Sequence, residues 1–440
     1  MTPGLCRTAP AVATVVGLLT LAASQTATVV VGQGGASTPP DDGVRMVADV
    51  GEGLKYWPRW RGPSGQGVVT GTGYPDRWSA TQNVAWKVAV PGRGNSSPIV
   101  WGDRIIVTTA DNGGRRLSVL AYRRTDGAKL WETPAPSGRS DDGAHFKNGH
   151  ASSTPATDGR RIYVSFGSRG LVALDMDGRL QWHTDLGAME AYHGPAGSPL
   201  LYKDRIILYQ DQYGGSFVAA FDTSTGKPLW RTARNANVGW GTPIAVRVLD
   251  HDEIIVSSQQ TVYAYDPATG QELWRCGGMS YEVIPTPVVG YGMVFCSSGR
   301  AGPTLAIRPG GKGDVTRSHV AWSTQRGSPF VPSPILYQQQ LYMVNDMASI
   351  VTSFDATSGK SLWQGRLGVA QREGFSASPV AVDGKVFFTN DDGETFVVKA
   401  GPTFDLLHVN SLGERTLASP ALVDGRWYFR TDSNLYAIGK

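Results

Sequence analysis

The chain has 440 residues, of which 55 are glycine and 27 are proline, while only 18% are charged. This composition is rich in turn formers, has too few charges for a disordered chain and lacks a collagen-like period. Forty-one Lys and Arg against 37 Asp and Glu leave a formal net charge of +4, with both signs scattered along the chain. Because nucleic-acid binding requires a basic stripe, we predict no nucleic-acid partner.

The N-terminal residues have the pattern of an export signal. Arg7 precedes a stretch without charges, Ala9 to Ala23, and the small residues Ala22 and Ser24 have the spacing of a signal-peptidase site. We therefore predict a secretory signal peptide at residues 1–25. An uncleaved membrane anchor is the alternative, because the apolar character continues a little further. In both cases the rest of the chain is exported, and we expect a periplasmic or secreted protein.

Two further regions follow the signal. Residues 26–55 contain Gly, Ser, Pro and Asp with little apolar periodicity, which is typical of a flexible tether. Residues 56–440 are predicted to form a single domain, with no transmembrane segment after signal cleavage.

A repeated unit organises residues 56–440, and its clearest copy, residues 334–363, has four short strands joined by turns. A Ser-Pro or Thr-Pro anchor begins each copy, with gaps of 57, 44, 44, 44, 47, 45 and 41 residues between the prolines Pro98, Pro155, Pro199, Pro243, Pro287, Pro334, Pro379 and Pro420. A tryptophan near the start of the last strand recurs independently, with Leu407 where the eighth is due, at Trp86, Trp131, Trp182, Trp230, Trp274, Trp322 and Trp363.

The two ends of the repeat region complement each other. The first tryptophan-bearing strand, near residues 84–90, precedes every anchor, and the last unit, residues 417–440, stops after its third strand. Pairing these two segments would complete one blade and remove the open sheet edges that promote aggregation. We therefore predict an all-β fold: an eight-bladed β-propeller of four-stranded antiparallel blades, closed by the N-terminal strand pairing with the C-terminal strands.

The turn before the last strand of each repeat has a recurring sequence pattern that resembles that of a known family. The pattern is clearest in FDTSTGKPLW, YDPATGQELW and FDATSGKSLW. Over residues 57–440 the repeat resembles the pyrroloquinoline-quinone-like, or quinoprotein-type, propeller family. The stretches YWPRWRGPSGQGV and KNGHASSTPATDGRRIYVSFG look most like its secreted bacterial members of unknown role. BamB-type assembly proteins and quinoprotein alcohol dehydrogenases resemble it more distantly. We interpret the repeated Asp residues as turn formers rather than catalytic acids.

The dehydrogenase relatives imply a pyrroloquinoline quinone cofactor, a calcium ion held by carboxylate and amide oxygens, and an Asp base. Many also have a disulfide of adjacent cysteines beside the cofactor. Adjacent cysteines are absent here, because Cys276 and Cys296 lie 20 residues apart. Their spacing leaves open whether they form a disulfide or remain buried thiols. We therefore assign no cofactor and keep a quinone- and calcium-dependent alcohol or sugar dehydrogenase as an alternative.

Propeller geometry predicts where a ligand would bind. The loops before the anchors and the loops between second and third strands converge on one mouth of the central channel, and unusual residues gather there. Some belong to loops after second strands, such as Asp391 and Asp432. The predicted ligand-binding residues of this mouth are Arg93, Asn95, His150, His193, Asp211, Trp240, Glu282, Asp346, Phe375 and Arg415.

Narrower roles are also considered for some of these residues. His150 and His193 precede adjacent inner strands, where they would share a metal or an anion or simply bond to backbone. Trp240 offers either a stacking surface or a plug. Calcium prefers six to eight oxygens, and no local DxDxDG run supplies them, so a calcium site would have to combine the dispersed carboxylates Asp211, Asp346 and Glu282.

The long first gap contains the insertion TPAPSGRSDDGAHFKNGHASS, which we interpret as a lid over the channel or a partner-contact loop. No GxSxG, P-loop, HExxH or CxxC motif is present, and no catalytic residue is assigned. We therefore predict an exported, monomeric, non-catalytic scaffold that binds an unidentified small ligand or envelope protein through the mouth. The alternatives are the dehydrogenase and an envelope assembly factor resembling BamB.

Overall fold

The computed structural model describes Met1 and residues 43–111, 113–139, 143–299, 302–369 and 374–440. The predicted signal peptide beyond Met1 and most of the predicted tether lie outside these described residues. The residues described from Gly43 onward belong to one compact unit. Within the described residues, no helix has the length and the apolar composition that a membrane-spanning segment requires.

The described strands form eight sheets, each of which is one blade. The first two strands belong to two different blades. Strand β1 (Val44–Met46) extends the sheet of blade four, and strand β2 (Val84–Ala89) is part of blade eight. Blade one contains β3 (Ile99–Trp101), β4 (Arg104–Ala110), β5 (Leu117–Arg123) and β6 (Lys129–Pro134). Blade two contains β7 (Ala156–Thr157), β8 (Arg161–Ser165), β9 (Leu171–Asp175) and β10 (Leu180–Thr184). Blade three contains β11 (Leu200–Tyr202), β12 (Arg205–Gln210), β13 (Ser216–Asp222) and β14 (Pro228–Arg234).

The remaining blades repeat this order. Blade four contains β15 (Ile244–Val248), β16 (His251–Ser257), β17 (Thr261–Tyr265) and β18 (Glu272–Gly277). Blade five contains β19 (Val288–Gly290), β20 (Met293–Ser297), β21 (Thr304–Ile307) and β23 (Val320–Thr324), while β22 (Gly313–Asp314) pairs in parallel with β18. Blade six contains β24 (Ile335–Tyr337), β25 (Gln340–Asn345), β26 (Ile350–Asp355) and β27 (Ser361–Arg366). Blade seven contains β28 (Val380–Val382), β29 (Lys385–Thr389), β30 (Glu394–Lys399) and β31 (Leu406–Ser411). Blade eight contains β32 (Ala421–Val423), β33 (Arg426–Arg430) and β34 (Asn434–Ile438), together with β2.

Helix is almost absent from the described residues, which include only the short 3-10 segments Gly51–Lys55 and Gly167–Arg169. The ring closes as predicted, because β2 pairs antiparallel with β34, with Lys87 opposite Tyr436 and Val88 opposite Leu435. The sequence prediction of an all-β, eight-bladed propeller is therefore confirmed.

The repeated tryptophans fasten neighbouring blades together. Trp182 of blade two donates from Nε1 to the Thr223 carbonyl in the turn of blade three, at 3.0 Å. Gly226 in that turn has φ +70°, and a Cβ there would lie 2.5 Å from the Trp182 ring, so the turn needs glycine for both its backbone and its close approach. The same indole-to-carbonyl bond is made by Trp86, Trp131, Trp230, Trp322 and Trp363.

Two positions depart from this pattern. Trp274 donates instead to Glu253 Oε2 of its own blade, at 2.9 Å. In blade seven the register places His408, not Leu407, opposite Val397, where other blades have tryptophan. His408 Nε2 contacts the Asp76 carbonyl and so reproduces the contact that an indole makes elsewhere. The assignment of Leu407 as the eighth member of the series was wrong by one residue, because His408 occupies the position that pairs as the tryptophans do.

The segment before β2 runs along the inner edges of several blades. Strand β1 pairs with β15 of blade four. Trp57 exchanges two backbone hydrogen bonds with Val100 of blade one, and Ala381 of blade seven bonds to the backbone of residues 67 and 69. The described end of the predicted tether, residues 43–55, therefore includes a paired strand and a 3-10 turn.

Candidate ligand-binding cavity at the channel mouth

The hydroxyl groups of the Ser-Pro and Thr-Pro anchors form a ring around the channel. In this ring the backbone N–H of one anchor donates to the side-chain hydroxyl of the next blade's anchor. Six such bonds of 2.8–3.2 Å occur among the described residues, and they join Ser97 to Thr154, Thr154 to Ser198, Ser198 to Thr242, Thr286 to Ser333, Ser333 to Ser378, and Ser378 to Ser419. The sequence analysis used the prolines as markers and did not recognise that the hydroxyls connect the blades.

A cavity of about 620 Å³ lies at this ring and is lined by seven of the anchor residues and by the loops that precede them. Trp60 also lines the cavity, and its Nε1 donates to Thr286 Oγ1 at 3.1 Å. The segment before β2 therefore enters the channel and forms part of the cavity wall. This contribution was not anticipated, because residues near Trp60 carry no repeat signal.

One wall of the cavity is a stack of rings from the loops before blades two, three and four. His145 lies 4.2 Å from Phe146 and 4.7 Å from His193, measured between ring centroids. His193 in turn stacks on Trp240 at 5.5 Å. The indole Nε1 of Trp240 donates to the Gly194 carbonyl at 3.0 Å. Trp240 is thus buried in the wall and holds His193 in place.

Buried charges lie in and behind the opposite wall: Lys147 and Asp346 line the cavity, whereas Asp391 does not. Lys147 Nζ lies 3.1 Å from Asp391 Oδ2, and the Asp391 side chain is fully buried. Ser376 Oγ also donates to Asp391 Oδ2, at 3.1 Å. Asp391 Oδ1 is buried and accepts no hydrogen bond from the described residues. Burial raises the pKa of Asp391, and the charge of Lys147 opposes that rise.

Asp346 is the second carboxylate on this side, and it lines the cavity. Its Oδ1 accepts a hydrogen bond from the Phe330 backbone N–H at 2.9 Å. Burial raises the pKa of Asp346 to about 6, although that hydrogen bond and the charge of Lys147 lower it. Lys147 is therefore close to two buried carboxyl groups.

The Lys147–Asp391 contact crosses the mouth. Lys147 belongs to the loop before blade two, whereas Asp391 follows β29 of blade seven. The same loop is tied to blade eight, because Arg415 Nη2 donates to the Phe146 carbonyl at 3.5 Å. This loop is the C-terminal part of the insertion predicted to be a lid or contact loop, and residues 140–142 of that insertion lie outside the described residues.

Four of the ten predicted site residues line the cavity: Asn95, His193, Trp240 and Asp346. Asn95 Nδ2 donates to the Lys147 carbonyl at 3.1 Å and so supports the loop that crosses the mouth. Lys147 and Trp60 were not among the predicted residues. Lys147 lay inside an insertion whose path the sequence does not determine.

The other six predicted residues lie outside the cavity lining, and three of them have structural contacts. Asp211 forms a fully buried ion pair with Arg234, with Nε 2.7 Å from Oδ1 and Nη2 3.1 Å from Oδ2. Phe375 is fully buried, with its ring 6.0 Å from that of Phe396. Glu282 Oε1 accepts a hydrogen bond from the Tyr192 hydroxyl at 2.9 Å.

The last three lie at the rim or beside it. Arg415 Nη1 is 3.7 Å from Asp432 Oδ2. Arg93 pairs through its backbone with Ala110 and lines a separate, smaller pocket beside blade one. The His150 ring packs so closely on Gly114 that a Cβ there would lie 2.3 Å from it.

The described residues do not fit the metal sites considered from the sequence. No group of three or more His, Cys, Asp or Glu side chains within the described residues is arranged to hold a metal ion. The three carboxylates considered for calcium, Asp211, Asp346 and Glu282, therefore do not form such a site. Each instead bonds to its own protein partner.

The two cysteines are free and buried in the core shared by blades four and five. Burial raises the pKa of Cys276 to about 11 and that of Cys296 to about 12, so both thiols are protonated and unreactive at neutral pH. Neither lines the cavity. The described donor set thus does not match the quinone and calcium site implied by the dehydrogenase relatives.

Residues 61–274, 115–364 and 347–439 match the family model described as outer membrane protein assembly factor BamB. This chain belongs to that family. It is 28% identical over 217 residues to the outer membrane protein assembly factor BamB of Burkholderia pseudomallei (strain K96243), a match that covers 46% of this chain and 50% of that protein. The match therefore spans half the length of that relative.

Solved structures with the same architecture include both expected groups of relatives. BamB from Moraxella catarrhalis superposes with a TM-score of 0.54 at 13% identity, covering 80% of this chain and 96% of that one. The quinohemoprotein alcohol dehydrogenase from Comamonas testosteroni gives a TM-score of 0.64 at 13% identity, covering 88% of this chain and 81% of that one. At these identities the likeness shows the propeller fold alone. The quinoprotein-like resemblance inferred from the repeat is confirmed.

Proposed function

We propose that this protein is an exported, non-catalytic propeller that binds a polypeptide partner at its channel mouth and acts in envelope assembly. The observation that carries the proposal is the cavity at the anchor ring, with its wall of stacked rings and its buried charges. A concave, largely preformed cavity with a few polar groups among aromatic side chains is the usual form of a small-molecule site, and a cavity of this kind can also enclose a side chain of a polypeptide.

Exposed apolar side chains around the cavity support a protein partner. The loops of the mouth face carry six large apolar side chains that are each at least 45% exposed: Phe146, Tyr192, Tyr213, Tyr281, Met347 and Val369. Aromatic residues and methionine are enriched in protein interfaces, and tyrosine is common among the few residues that carry most of the binding free energy. The mouth thus has both an anchoring cavity and a contact rim.

The family supports the choice of compartment and partner class. Its model and the Burkholderia pseudomallei relative are both described as an outer membrane protein assembly factor. An export signal predicted at residues 1–25 agrees with an envelope location. Envelope proteins, and not a small metabolite, are therefore the proposed partners.

Site-specific photo-crosslinking in the cells that make this protein tests the proposal. A photoreactive side chain replaces Tyr192 or Met347 on the mouth face, or Leu249 in the turn between the first two strands of blade four. Leu249 is 72% exposed and Met347 is 77% exposed, so the two positions are matched in accessibility. We expect adducts with an envelope protein from the mouth positions and none from Leu249. Equal adducts from all three positions, or none, would reject the mouth as the partner site.

An assay for dehydrogenase activity tests the proposal that this protein is not an enzyme. The purified chain, supplied with the quinone and calcium, is mixed with alcohols or sugars and an artificial electron acceptor. We expect no turnover, because the described residues do not provide the donor set. Substrate-dependent reduction of the acceptor would overturn this part of the proposal.

A further inference from the structure

We infer that the floor of the cavity binds a neutral sugar residue, through the hydroxyl ring and the aromatic side chains beside it. The floor is defined as the seven anchor residues that line the cavity together with Trp60. This inference goes beyond the proposed function, because it assigns a second class of ligand to a buried surface, whereas a polypeptide would contact the exposed rim. It is carried by unused hydroxyl donors, unused amide acceptors and apolar ring surfaces in one cavity.

The seven anchor hydroxyls of the floor have unused hydrogen atoms. Six of their oxygen atoms accept a backbone N–H in the ring, and the seventh, Thr286 Oγ1, accepts from Trp60 Nε1. None of the seven hydroxyls donates to an acceptor among the described residues. Because a hydroxyl group has one donor hydrogen besides its acceptor sites, each remains able to donate.

Burial makes these donors important. Six of the seven anchor residues of the floor are at most 5% exposed. A buried donor that lacks an acceptor costs free energy. A hydroxyl that already accepts an N–H is also polarised into a stronger donor. The floor is therefore an array of strengthened donors that requires acceptor atoms from whatever occupies the cavity.

Two amide groups on the same cavity provide unused acceptors. Asn95 Nδ2 donates to the Lys147 carbonyl at 3.1 Å, and Asn148 Nδ2 donates to the His193 carbonyl at 2.7 Å. These bonds orient each amide, and neither Oδ1 atom accepts a hydrogen bond from the part of the chain that the structure describes. Both asparagines line the cavity. A ligand hydroxyl can accept from the ring and donate to such an amide with a single oxygen atom.

The Lys, Arg and Asp side chains of the described lining already have protein partners. Lys147 Nζ lies 3.1 Å from Asp391 Oδ2, and Arg366 Nη1 donates to the Ala348 carbonyl at 3.0 Å. Asp346 accepts a backbone N–H at 2.9 Å. The unused groups named above are hydroxyls and amides, which are uncharged. A neutral ligand therefore matches them without the cost of desolvating an ion.

Two indole rings present apolar surface beside these polar groups. Trp60 and Trp240 line the cavity, and their N–H groups are already bonded to Thr286 and to the Gly194 carbonyl. These side chains therefore offer carbon surface to an occupant. A sugar ring has C–H groups on its faces and oxygen atoms around its edge. One face can pack on an indole while the edge exchanges hydrogen bonds with the hydroxyls and amides.

The size and the mixed lining of the cavity favour a ligand over water alone. Its volume of about 620 Å³ lies within the range of about 300–1,000 Å³ that small-molecule sites have. Water beside the indole rings has few hydrogen-bond partners, and a ligand that displaces such water gains affinity. A sugar satisfies the donors of the floor and covers the rings at the same time.

Calorimetry with neutral trisaccharides tests the inference. Maltotriose, cellotriose, mannotriose and chitotriose are titrated into the purified full chain, and the methyl glycoside of each component sugar is titrated separately. We expect at least one trisaccharide to bind with a dissociation constant below about 1 mM. A roughly tenfold increase in salt concentration should leave this affinity unchanged, because a neutral ligand has no charge to screen.

The methyl glycosides distinguish two sources of the sugar. A trisaccharide that binds more tightly than its methyl glycoside supports the inference with a glycan as the source. Equal affinities support it with a free sugar as the source.

A matched pair of anchor variants locates the site. Ser378 lines the cavity, whereas Ser97 is an anchor that does not. We expect S378A to weaken trisaccharide binding about fivefold, the usual effect of one lost hydrogen bond, and S97A to leave it unchanged. W60L should weaken binding more than W60F, because only W60F keeps an aromatic ring on the wall.

A photoreactive derivative of the bound trisaccharide locates the site without any substitution. We expect mass spectrometry to find it attached to peptides that line the cavity. If S378A does not fold, this label still decides where the sugar binds.

No binding of any trisaccharide, equal weakening by S378A and S97A, or labelled peptides outside the cavity lining would overturn the inference. Each of these results leaves the proposed function to be judged by the photo-crosslinks from Tyr192 and Met347, which report a polypeptide partner. Conversely, crosslinks that avoid the mouth would reject the proposed function even if a trisaccharide bound to the floor.

Discussion

Lys87 Nζ lies 2.7 Å from Glu414 Oε1, and this ion pair joins the strand that closes the ring to the loop before blade eight. Glu414 also accepts hydrogen bonds from the side chains of Thr431, Asn434 and Tyr436, at 2.7–2.8 Å. One carboxylate thus connects the N-terminal and C-terminal parts of the last blade. We expect E414A to lower the free energy of unfolding by about 1–3 kcal/mol, because several partners lose their acceptor. Chemical denaturation measures this loss.

The Glu414 carboxylate should also make the free energy of unfolding depend on pH. Burial raises the pKa of Glu414, but the hydrogen bonds from Lys87, Asn434, Thr431 and Tyr436 outweigh it and hold the pKa at about 2, below its ordinary 4.5. The stabilisation is therefore complete above pH 4.5 and is lost as the pH falls toward 2. E414Q should differ most from the wild type above pH 4.5, and the difference should shrink with acid.

Glu272→Gln is the control for these two measurements. Among the described residues, Glu272 forms an ion pair with the neighbouring Arg275 on an outer strand, and exposed pairs of this kind contribute little to stability. If E272Q lowered the free energy of unfolding as much as E414Q, the loss would come from removing a surface charge in general. It would then not come from the contacts of Glu414 that close the ring.

The hydroxyl ring predicts a contrast between two chemically identical substitutions. Ser378 Oγ accepts from the buried Ser333 N–H at 2.9 Å, so S378A leaves that donor unpaired. Ser97 Oγ is buried without a hydrogen-bond partner among the described residues, so S97A removes no bond. We expect S378A to lower the free energy of unfolding by about 1–3 kcal/mol and S97A to change it much less. Equal losses in urea unfolding would show that the ring hydrogen bonds do not stabilise the fold.

The fold could be predicted because its signals are local and repeated. Each Ser-Pro or Thr-Pro anchor and each tryptophan marks a blade without reference to distant residues, and the count of eight follows from spacing alone. The misplacement at Leu407 arose because successive tryptophans are 41 to 51 residues apart, so their spacing does not fix the eighth position to a single residue.

The site was predicted less well because its contacts join residues far apart in sequence. Lys147 and Asp391 are brought together only by the path of one loop across the mouth. Asp211, which was grouped with Asp346 as a candidate calcium ligand, instead forms an ion pair with Arg234. Loop position therefore identified the face on which the cavity lies, whereas the partner of each side chain depended on tertiary structure.

Asp211 offers a direct test of that distinction. Its ion pair with Arg234 is buried on both sides, and D211N would leave the guanidinium without its counter-charge. We expect D211N to lower the free energy of unfolding by about 3–5 kcal/mol while the folded fraction keeps its affinity for mouth ligands. Thermal unfolding measures the stability, and the yield of photo-crosslinks from Met347 reports binding at the mouth. Lost affinity with unchanged stability would return Asp211 to the list of ligand-binding residues.

Asp346, unlike Asp211, should lower the free energy of unfolding at neutral pH. Burial raises the pKa of Asp346 to about 6, above its ordinary 3.8, so the folded chain holds this proton more tightly than the unfolded chain. The free energy of unfolding therefore falls as the pH rises from 3.8 to 6 and remains lower above that range.

D346N removes the charge and keeps an oxygen for the Phe330 N–H. We expect D346N to raise the free energy of unfolding by about 1–3 kcal/mol at pH 8 and to match the wild type near pH 4. Denaturation at the two pH values measures the difference. A residue retained for binding is expected to lower the stability of the folded chain at neutral pH, as this carboxylate would, since functional sites commonly trade stability for activity. A D346N chain that is destabilised equally at both pH values would instead assign Asp346 a structural role.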